Sequence, residues 1–350
     1  MQRIPAAIAP VVFLPGLVYE ALVRARNGLY SAGLLPQHRL PDPVISIGNL
    51  TLGGTGKTPL VICVAQALLK LGFVPAVLTR GYGRIRRREA HILPPEREVP
   101  SAFLAIGDEP ALIRRRLPSV WMGVSKDRYR AGSSISRQQA QTVFLLDDGF
   151  QHRRLHRDLD IVIIDPSQPL QSNRIFPLGT LREPLSGLRR CHVAVINGPP
   201  DAADPVEAVV RTWQPDAKIF HCSQAIQSLI PFSCWRRGED GGQTQRARPA
   251  YLVAALGNPD RFRQDVRRLG IEVCGSRFFP DHYRLQRKDW AACADEARGK
   301  GADAILVTEK DAVKISDPPD FPLLVSVQSA RISDPRAFEG ILQSCIEDRS

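Results

Sequence analysis

Val44-Ile-Ser-Ile-Gly-Asn-Leu-Thr-Leu-Gly-Gly-Thr-Gly-Lys-Thr-Pro59 is the stretch that decides the fold. A β-branched run from Val44 to Ile47 leads into a glycine-dense turn, and a helical pattern from Pro59 to Leu71 follows. Strand, glycine turn and helix N-terminus in this order form a phosphate cradle, because backbone N–H groups and the helix dipole favour an anion. The sequence therefore predicts a site for a nucleoside triphosphate.

The loop departs from the strict G-x-x-x-x-G-K-[ST] pattern, because Thr51 stands where that pattern has its first glycine. It is closer to the loop of membrane-associated partitioning ATPases, but those carry a lysine where this chain has Leu52. A glycine turn without a ligand is the structural alternative. If the loop binds ATP, Lys57 stabilises the transferring phosphoryl group and Thr58 supplies a ligand to Mg²⁺. The predicted nucleotide-binding residues of the loop are Gly53, Gly54, Thr55, Gly56, Lys57 and Thr58.

Composition restricts the partners. The chain has 350 residues and a formal net charge of +11, with a pI of about 9.6. Such an excess attracts nucleic acid, an anionic membrane face or a phosphorylated substrate. Because no RNA-binding or helix-turn-helix signature accompanies the arginine runs, we predict no nucleic-acid partner. The seven cysteines are dispersed, with no C-x-x-C pair, which is typical of reduced thiols in the cytosol.

The N-terminus combines apolar and cationic residues. The stretch from Ile4 to Tyr19 has no charge, but Pro5, Pro10 and Pro15 disfavour a continuous helix there. From about Leu14 the pattern becomes amphipathic, with arginines between apolar positions. Such a helix can lie in the bilayer interface on the cytoplasmic side, or it can pack on the protein's own core. The pattern leaves both interpretations open.

Strand-like apolar runs alternate with helical patterns along the rest of the chain, which is typical of parallel sheets covered by helices. The predicted strands are Phe73–Thr79, Thr142–Leu146, Ile161–Ile164, Val193–Ile196, Tyr251–Leu256, Ile305–Thr308 and Leu323–Val327. A polar, glycine-containing linker at 236–249 predicts a domain boundary within 219–250.

Several strand ends carry residues suited to chemistry. Asp147 and Asp148 follow the run Thr142–Leu146, where paired carboxylates can hold Mg²⁺ or its waters; an Asp-Asp-Gly turn is the alternative. Asp108 or Glu109 would, from local sequence alone, simply cap a helix.

Further motifs are weaker individually. The loop from Arg80 to Arg84 suits close approach to a base or phosphate, or is a simple turn. Arg182 and Glu183 suggest by default a surface ion pair. His282 is flanked by an acid and aromatics, and the segment from Thr308 to Asp311 predicts a charged turn at a strand end.

Together, and in this order, these motifs resemble the lipid A disaccharide 4′-kinase (tetraacyldisaccharide 4′-kinase) family. The motifs that carry the resemblance are Gly48-Asn49, Gly53-Gly54-Thr55-Gly56-Lys57-Thr58-Pro59, Arg80-Gly81-Tyr82-Gly83, Gly107-Asp108-Glu109-Pro110, Asp147-Asp148-Gly149-Phe150-Gln151-His152, Leu181-Arg182-Glu183-Pro184, Gly257-Asn258-Pro259, Phe279-Pro280-Asp281-His282-Tyr283 and Thr308-Glu309-Lys310-Asp311.

The resemblance implies an α/β fold of two three-layer α/β/α domains with mainly parallel sheets. The first would be P-loop NTPase-like, preceded by an amphipathic helix, and the active site would lie between the two. The predicted divisions are residues 1–36 for the membrane-interface helix, 37–235 for the P-loop kinase domain and 250–350 for a smaller C-terminal domain.

The resemblance also implies transfer of the ATP γ-phosphate to the 4′-hydroxyl of a tetraacylated disaccharide 1-phosphate, with ATP and Mg²⁺, at the cytoplasmic face of the bacterial inner membrane. Asp108 then becomes the catalytic base, paired with His282 from the other domain. Asp147 and Asp148 would bind the metal or position substrate, Glu183 is a further metal candidate, and Tyr82 contacts the nucleotide.

This resemblance favours the interfacial interpretation of the N-terminal helix, because an acylated substrate keeps the enzyme at an anionic membrane surface. The rival functions are a membrane-associated ATPase that uses hydrolysis as a switch, and a nucleic-acid-binding module. Oligomeric state stays open.

Overall fold

The computed structural model describes residues 9–82, 84, 90–96, 102–168, 170–171, 173–199, 202–239 and 249–349. Parts of the predicted features lie outside the described residues, namely residues 1–8 of the N-terminal region, Gly83 with most of the run after Arg84, and residues 240–248 of the linker.

Helices and strands alternate along the chain. The strands are β1 (Val44–Asn49), β2 (Val74–Thr79), β3 (His91–Leu93), β4 (Trp121–Val124), β5 (Thr142–Asp147), β6 (Leu159–Ile164), β7 (Val193–Asn197), β8 (Lys218–Pro231), β9 (Ala250–Ala255), β10 (Val273–Phe279), β11 (Ala304–Thr308) and β12 (Leu323–Ile332). The helices are α1 (Ala9–Ser31), α2 (Lys57–Lys70), α3 (Ala102–Ile106), α4 (Asp108–Arg116), α5 (Arg128–Ser136), α6 (Asp204–Trp213), α7 (Phe232–Arg237), α8 (Pro259–Arg268), α9 (Arg287–Gly299), α10 (Glu309–Ala312) and α11 (Pro335–Glu347), with a 3₁₀ turn at Leu185–Arg190.

The described strands form one twelve-stranded sheet in the order β10-β9-β11-β12-β8-β7-β6-β1-β5-β2-β4-β3. Neighbouring strands are parallel except for the β3–β4 and β8–β12 pairs. The predicted α/β class with a mainly parallel sheet is confirmed.

Helices cover both faces of the sheet, as the alternation along β1 and its neighbours shows. Ile45 and Ile47 pack in one cluster with α2, whereas Val44 packs on the other face with residues of α5. In the second half, Tyr251 faces Trp290 of α9, and Leu252 belongs to the opposite cluster with α8. Strands buried on both faces explain the continuous apolar runs of the sequence.

Strand β8 joins the two halves of the sheet. Its first residues pair in parallel with β7, up to the pair Asn197–Cys222, and the strand then continues antiparallel to β12. Because β12 is antiparallel to β8, the carboxyl ends of β9, β10 and β11 point back toward the carboxyl ends of β1, β5 and β7. This arrangement places both sets of strand ends, where α/β proteins bind ligands, beside one cleft.

Every predicted strand is present. The two predicted sheets are, however, one continuous sheet, and its joining strand β8 begins at Lys218, one residue before the predicted boundary segment, and ends inside that segment. Polar residues interrupt the apolar residues of β8, and buried and exposed positions alternate along it. The sequence therefore shows no continuous apolar run that would predict this strand. The division into domains stays a prediction.

Helix α1 presents its apolar residues outward. Pro15 lies inside it, so the expectation that this proline interrupts the helix is wrong; proline removes only one N–H donor there. The side turned toward the protein carries Gly16, Glu20, Val23, Asn27 and Tyr30. Phe13, Leu14, Leu17, Val18 and Leu22 are exposed, which contradicts the alternative that this apolar face packs on the protein's own core. Within the described part of the chain, no helix combines the length and apolarity needed to cross a bilayer.

Candidate active site

The phosphate loop joins β1 to α2, as the sequence predicts. Gly56 precedes the helix with φ 86°, a left-handed conformation that glycine adopts without steric cost. The Lys57 ammonium donates to Oδ1 of Asn49 at 3.1 Å and lies 3.5 Å from the Asp148 carboxylate. Strand and helix therefore hold the lysine at the mouth of the loop.

Asp147 is the last residue of β5 and Asp148 follows it, beside Lys57 of the phosphate loop. Oδ2 of Asp147 accepts a hydrogen bond from the Thr79 hydroxyl at 2.8 Å. Burial, together with the charges of Glu109 and Asp148, raises the pKa of Asp147 to about 7. A cation is therefore favoured next to this carboxyl.

Asp148 is paired with cationic side chains, whereas Asp147 is bonded to a hydroxyl. It has φ 51° and accepts from the Arg182 guanidinium at 2.7 and 2.8 Å. Burial opposes its charge, but Lys57 and Arg182 outweigh burial and hold the pKa of Asp148 below its usual range. Asp148 is thus an ionised carboxylate between two cations, one from the loop and one from the segment after residue 180.

Asp108 and His282 form a hydrogen bond of 2.8 Å between Oδ2 and Nδ1, although 174 residues separate them. Asp108 is the first residue of α4 and is buried, whereas His282 follows β10 with a strained φ of 63°. Gly107 is the N-cap of α4, and Oδ1 of Asp108 accepts from the Glu109 N–H at 3.1 Å, so Asp108 satisfies one N–H of the first turn in addition to bonding His282. The pairing that the family resemblance implies is present.

The hydrogen bond between Asp108 and His282 shifts the pKa values of these two side chains in opposite directions. Burial favours neutral Asp108, but the His282 hydrogen bond and the Lys310 charge outweigh burial and lower the pKa of Asp108. The bond to Asp108 raises the pKa of His282, against burial and Lys310. The pair therefore favours a carboxylate hydrogen-bonded to an imidazolium.

Lys310 reinforces this contact between the halves. Its ammonium lies 3.4 Å from Glu109, which follows Asp108, and 3.2 Å from Asp281, which precedes His282. Burial would lower the pKa of Lys310, but Glu109 and Asp281 outweigh it and raise that pKa. The segment from Thr308 to Asp311 does form the predicted turn at the end of β11, since Thr308 caps α10.

Glu183 is buried among donors. Its carboxylate accepts from Arg190 at 2.8 and 2.9 Å, from Gln151 at 3.0 Å and from Asn27 of α1 at 2.8 Å. The default ion pair between Arg182 and Glu183 is therefore wrong, because Arg182 binds Asp148 instead. A metal-ligand role for Glu183 stays a prediction; its observed contacts connect α1 to the Asp147–His152 segment.

The backbone of Tyr82 lies next to Gly107, the residue before Asp108. A Cβ on Gly107 would lie 2.2 Å from the Tyr82 carbonyl oxygen, so only glycine allows this approach. The Tyr82 side chain is exposed, and its hydroxyl accepts from Arg80 at 2.8 Å. Its predicted contact with the nucleotide stays a prediction.

The phosphate loop lines a cleft with a cavity volume of about 210 Å³, and Glu109 and Asp281, the neighbours of Asp108 and His282, line it as well. The loop residues Gly53 to Thr58 line its first side. Asn258, Asp281 and Lys310 line the second side, at the strand ends of the other half.

The donor set fits ATP and Mg²⁺. A Cβ built on Gly54 meets no atom within 4 Å, which leaves open space in front of the loop. Thr58 and Asp147 offer the oxygen ligands that Mg²⁺ prefers, and the raised pKa of Asp147 indicates an uncompensated negative site. No group of three or more His, Cys, Asp or Glu side chains suited to a metal exists among the described residues. A magnesium ion carried by nucleotide phosphates needs only one or two protein ligands.

The structure indicates surroundings or contacts for three residues to which the sequence analysis assigns no role. Arg128 is buried near Asp147 and Asp148, and burial and Arg128 lower the pKa of His152 to about 3, so His152 is neutral. Asn49 receives the Lys57 bond. An isolated arginine after Asp127 carries no local signal, whereas Asn49 stands at the end of a predicted strand, which could have indicated a role.

A phosphate loop that shares its cleft with the residues flanking a carboxylate–histidine pair defines the class of the protein, a P-loop kinase. The model of the tetraacyldisaccharide-1-P 4′-kinase family matches residues 8–347. The chain belongs to that family.

Relatives cover nearly the same length. The tetraacyldisaccharide 4′-kinase of Syntrophus aciditrophicus is 34% identical, over 99% of this chain and 95% of that protein. The tetraacyldisaccharide 4′-kinase of Geobacter metallireducens is 35% identical, over 90% of each chain. The fold is similar to the crystal structure of "apo" form LpxK from Aquifex aeolicus in complex with ATP, with a TM-score of 0.76, 28% identity and coverage of 99% of this chain and 100% of that one.

Proposed function

We propose that this chain transfers the γ-phosphate of ATP to the 4′-hydroxyl of a tetraacyldisaccharide 1-phosphate, in lipid A biosynthesis. The observation that carries the proposal is the Asp108–His282 bond, which joins a buried carboxylate to the second half of the fold, next to Glu109 and Asp281 of the cleft that the phosphate loop lines. A kinase for a sugar hydroxyl needs such an acceptor for the hydroxyl proton, whereas a hydrolytic switch does not need a base from a second half of the fold.

In the proposed reaction, backbone N–H groups of the loop and Lys57 hold the β- and γ-phosphates. Thr58 and Asp147 are the residues that would hold Mg²⁺, which neutralises charge on the phosphates when bound. We assign Asp148 to the positioning of Lys57, because it lies 3.5 Å from that ammonium.

Asp108 accepts the proton of the 4′-hydroxyl as the oxygen attacks the γ-phosphorus. Its lowered pKa keeps it ionised at neutral pH but makes it a weak base. Since phosphoryl transfer passes through a loose transition state, the attacking hydroxyl needs orientation more than early deprotonation. His282 fixes the carboxylate and favours its charged form.

The test uses [γ-³²P]ATP, Mg²⁺ and the tetraacyldisaccharide 1-phosphate in detergent. We expect label in the lipid. Label only in inorganic phosphate would favour the hydrolytic ATPase, and retention on DNA without ATP turnover would favour the nucleic-acid module; either outcome from folded protein would contradict the proposal.

We further propose that α1 places the enzyme on an anionic membrane surface, at the cytoplasmic face of the bacterial inner membrane. The exposed apolar face of α1 and the net charge of +11 support this location. Replacing Leu14 and Leu22 by glutamate should reduce recovery with anionic vesicles several-fold. Leu269→Glu, a change at an exposed leucine outside α1, is the matched control. Equal recovery of all three proteins would contradict the membrane role.

A further inference from the structure

Two amide side chains donate hydrogen bonds to backbone carbonyls of the phosphate loop. Asn197 is the last residue of β7, and its Nδ2 donates to the Thr55 carbonyl at 2.9 Å. Gln224 lies on β8, and its Nε2 donates to the Gly56 carbonyl at 2.7 Å. We propose that Asn197 and Gln224 are positioning residues that set the phosphate-binding conformation of the loop, an inference that rests on the proposed use of this loop to bind ATP.

The argument starts from the geometry of the peptide unit. In a trans peptide the carbonyl and the following N–H point in opposite directions. The bond from Asn197 to the Thr55 carbonyl therefore fixes where the Gly56 N–H points. In the same way, the bond from Gln224 to the Gly56 carbonyl fixes the direction of the Lys57 N–H. Two successive N–H donors are thus turned away from the amides.

These two N–H groups are among those that a phosphate needs. At the start of α2 they have no carbonyl partner four residues earlier within the helix. Gly56 has φ 86°, and glycine adopts either sign of φ with similar ease, so the loop on its own does not select this conformation. A hydrogen bond on each carbonyl supplies that selection.

Burial and contact make the two bonds effective. Asn197 is 1% exposed, so its bond to the loop is shielded from competing water. A Cβ on Gly56 would lie 2.2 Å from Nε2 of Gln224, which shows that the amide packs directly on the loop backbone. Gln224 also pairs with Ala330 of β12, so the strand shared by both halves of the sheet supports the loop.

The role predicts a specific kinetic pattern. Gln224→Met and Asn197→Leu keep side-chain size but remove the donor. Each should raise the KM and the Kd for ATP by about tenfold, as expected for the loss of one hydrogen bond in a bound state. The kcat should stay within about twofold, and the KM for the lipid should not change, because the reacting groups remain in place.

The control is Gln214→Met. Gln214 donates the same kind of bond, from Nε2 to the Arg189 carbonyl at 3.2 Å, but outside the cleft. We expect wild-type ATP affinity for this variant.

ATP binding is measured by calorimetry without lipid, so the inference can be tested even if wild-type protein does not phosphorylate the lipid. Unchanged ATP affinity in Gln224→Met with an unchanged thermal midpoint would overturn the inference. A fall in kcat with unchanged KM for ATP would also overturn it, since that pattern reports fewer folded molecules. If Asn197→Leu does not fold, the part-buried Gln224 variant decides the question alone.

Discussion

The phosphate loop lines the cleft and the Asp108–His282 pair adjoins it through Glu109 and Asp281, but the two are assembled over very different lengths of chain. The loop, its strand and its helix are contiguous, and the contact between Lys57 and Asn49 spans 8 residues. The carboxylate–histidine contact spans 174 residues and requires both halves of the sheet. The loop forms from one contiguous segment, whereas the pair exists only when the second half is in place. We therefore expect loop variants to change ATP affinity and pair variants to change turnover.

The largest effect should come from Asp108→Asn, which keeps the shape of the side chain and removes the base. We expect kcat to fall by about 10²–10⁴-fold, the usual contribution of a general base. The Kd for ATP should stay within about twofold of wild type. Calorimetry and single-turnover kinetics measure the two quantities on one sample, and lost ATP affinity with retained turnover would reverse our assignment.

His282→Asn should have a smaller effect, with a characteristic pH dependence. Burial raises the pKa of Asp108 and the His282 bond lowers it, so removing the histidine should raise that pKa. Because the carboxylate is the active form, the acid limb of the kcat profile should move to higher pH. We expect about tenfold lower turnover at neutral pH, within the range for general-base positioning. An acid limb at the wild-type position would argue that His282 does not act through Asp108.

Gly56→Ala tests how the backbone conformation of the phosphate loop contributes to ATP affinity. The new Cβ would collide with Gln224, and φ 86° is unfavourable for alanine. We expect ATP affinity to fall about tenfold, a change of roughly 1.4 kcal/mol. Gly54→Ala, which meets open space, should cost less. Equal losses in the two variants, measured by calorimetry, would show that crowding at Gly56 is not the cause.

Lys310→Met should have the smallest effect of the four. It removes the ammonium between Glu109 and Asp281, both of them partly exposed, so the loss in kcat should be only a few-fold. Added salt should weaken the wild type's advantage over the variant, because ion pairs near the surface are screened. Lys288→Met, at an exposed lysine of α9, is the control. Identical kinetics for the two variants would contradict a role for Lys310 in supporting the contact between the two halves.

The same contrast explains what the sequence could predict. The strand, loop and helix around Lys57 follow from local pattern, and the continuous apolar runs predict the buried strands. Asp108 looks like a helix cap locally because its partner lies after β10. Family resemblance, not local pattern, suggests that pairing. Arg182 looks like the partner of its neighbour Glu183, yet it binds Asp148, since the fold rather than sequence distance decides ion pairs. Strand β8 is not predicted from the sequence, because its polar residues, Gln224 among them, interrupt the apolar run.

The central claim is that Asp108 and His282 act as one unit formed across the two halves. A double-mutant cycle on kcat with Asp108→Asn, His282→Asn and the double variant tests it most directly. If the histidine acts only through the carboxylate, the double variant should be no slower than Asp108→Asn alone. Losses that multiply, with each residue contributing its full factor independently, would contradict the account.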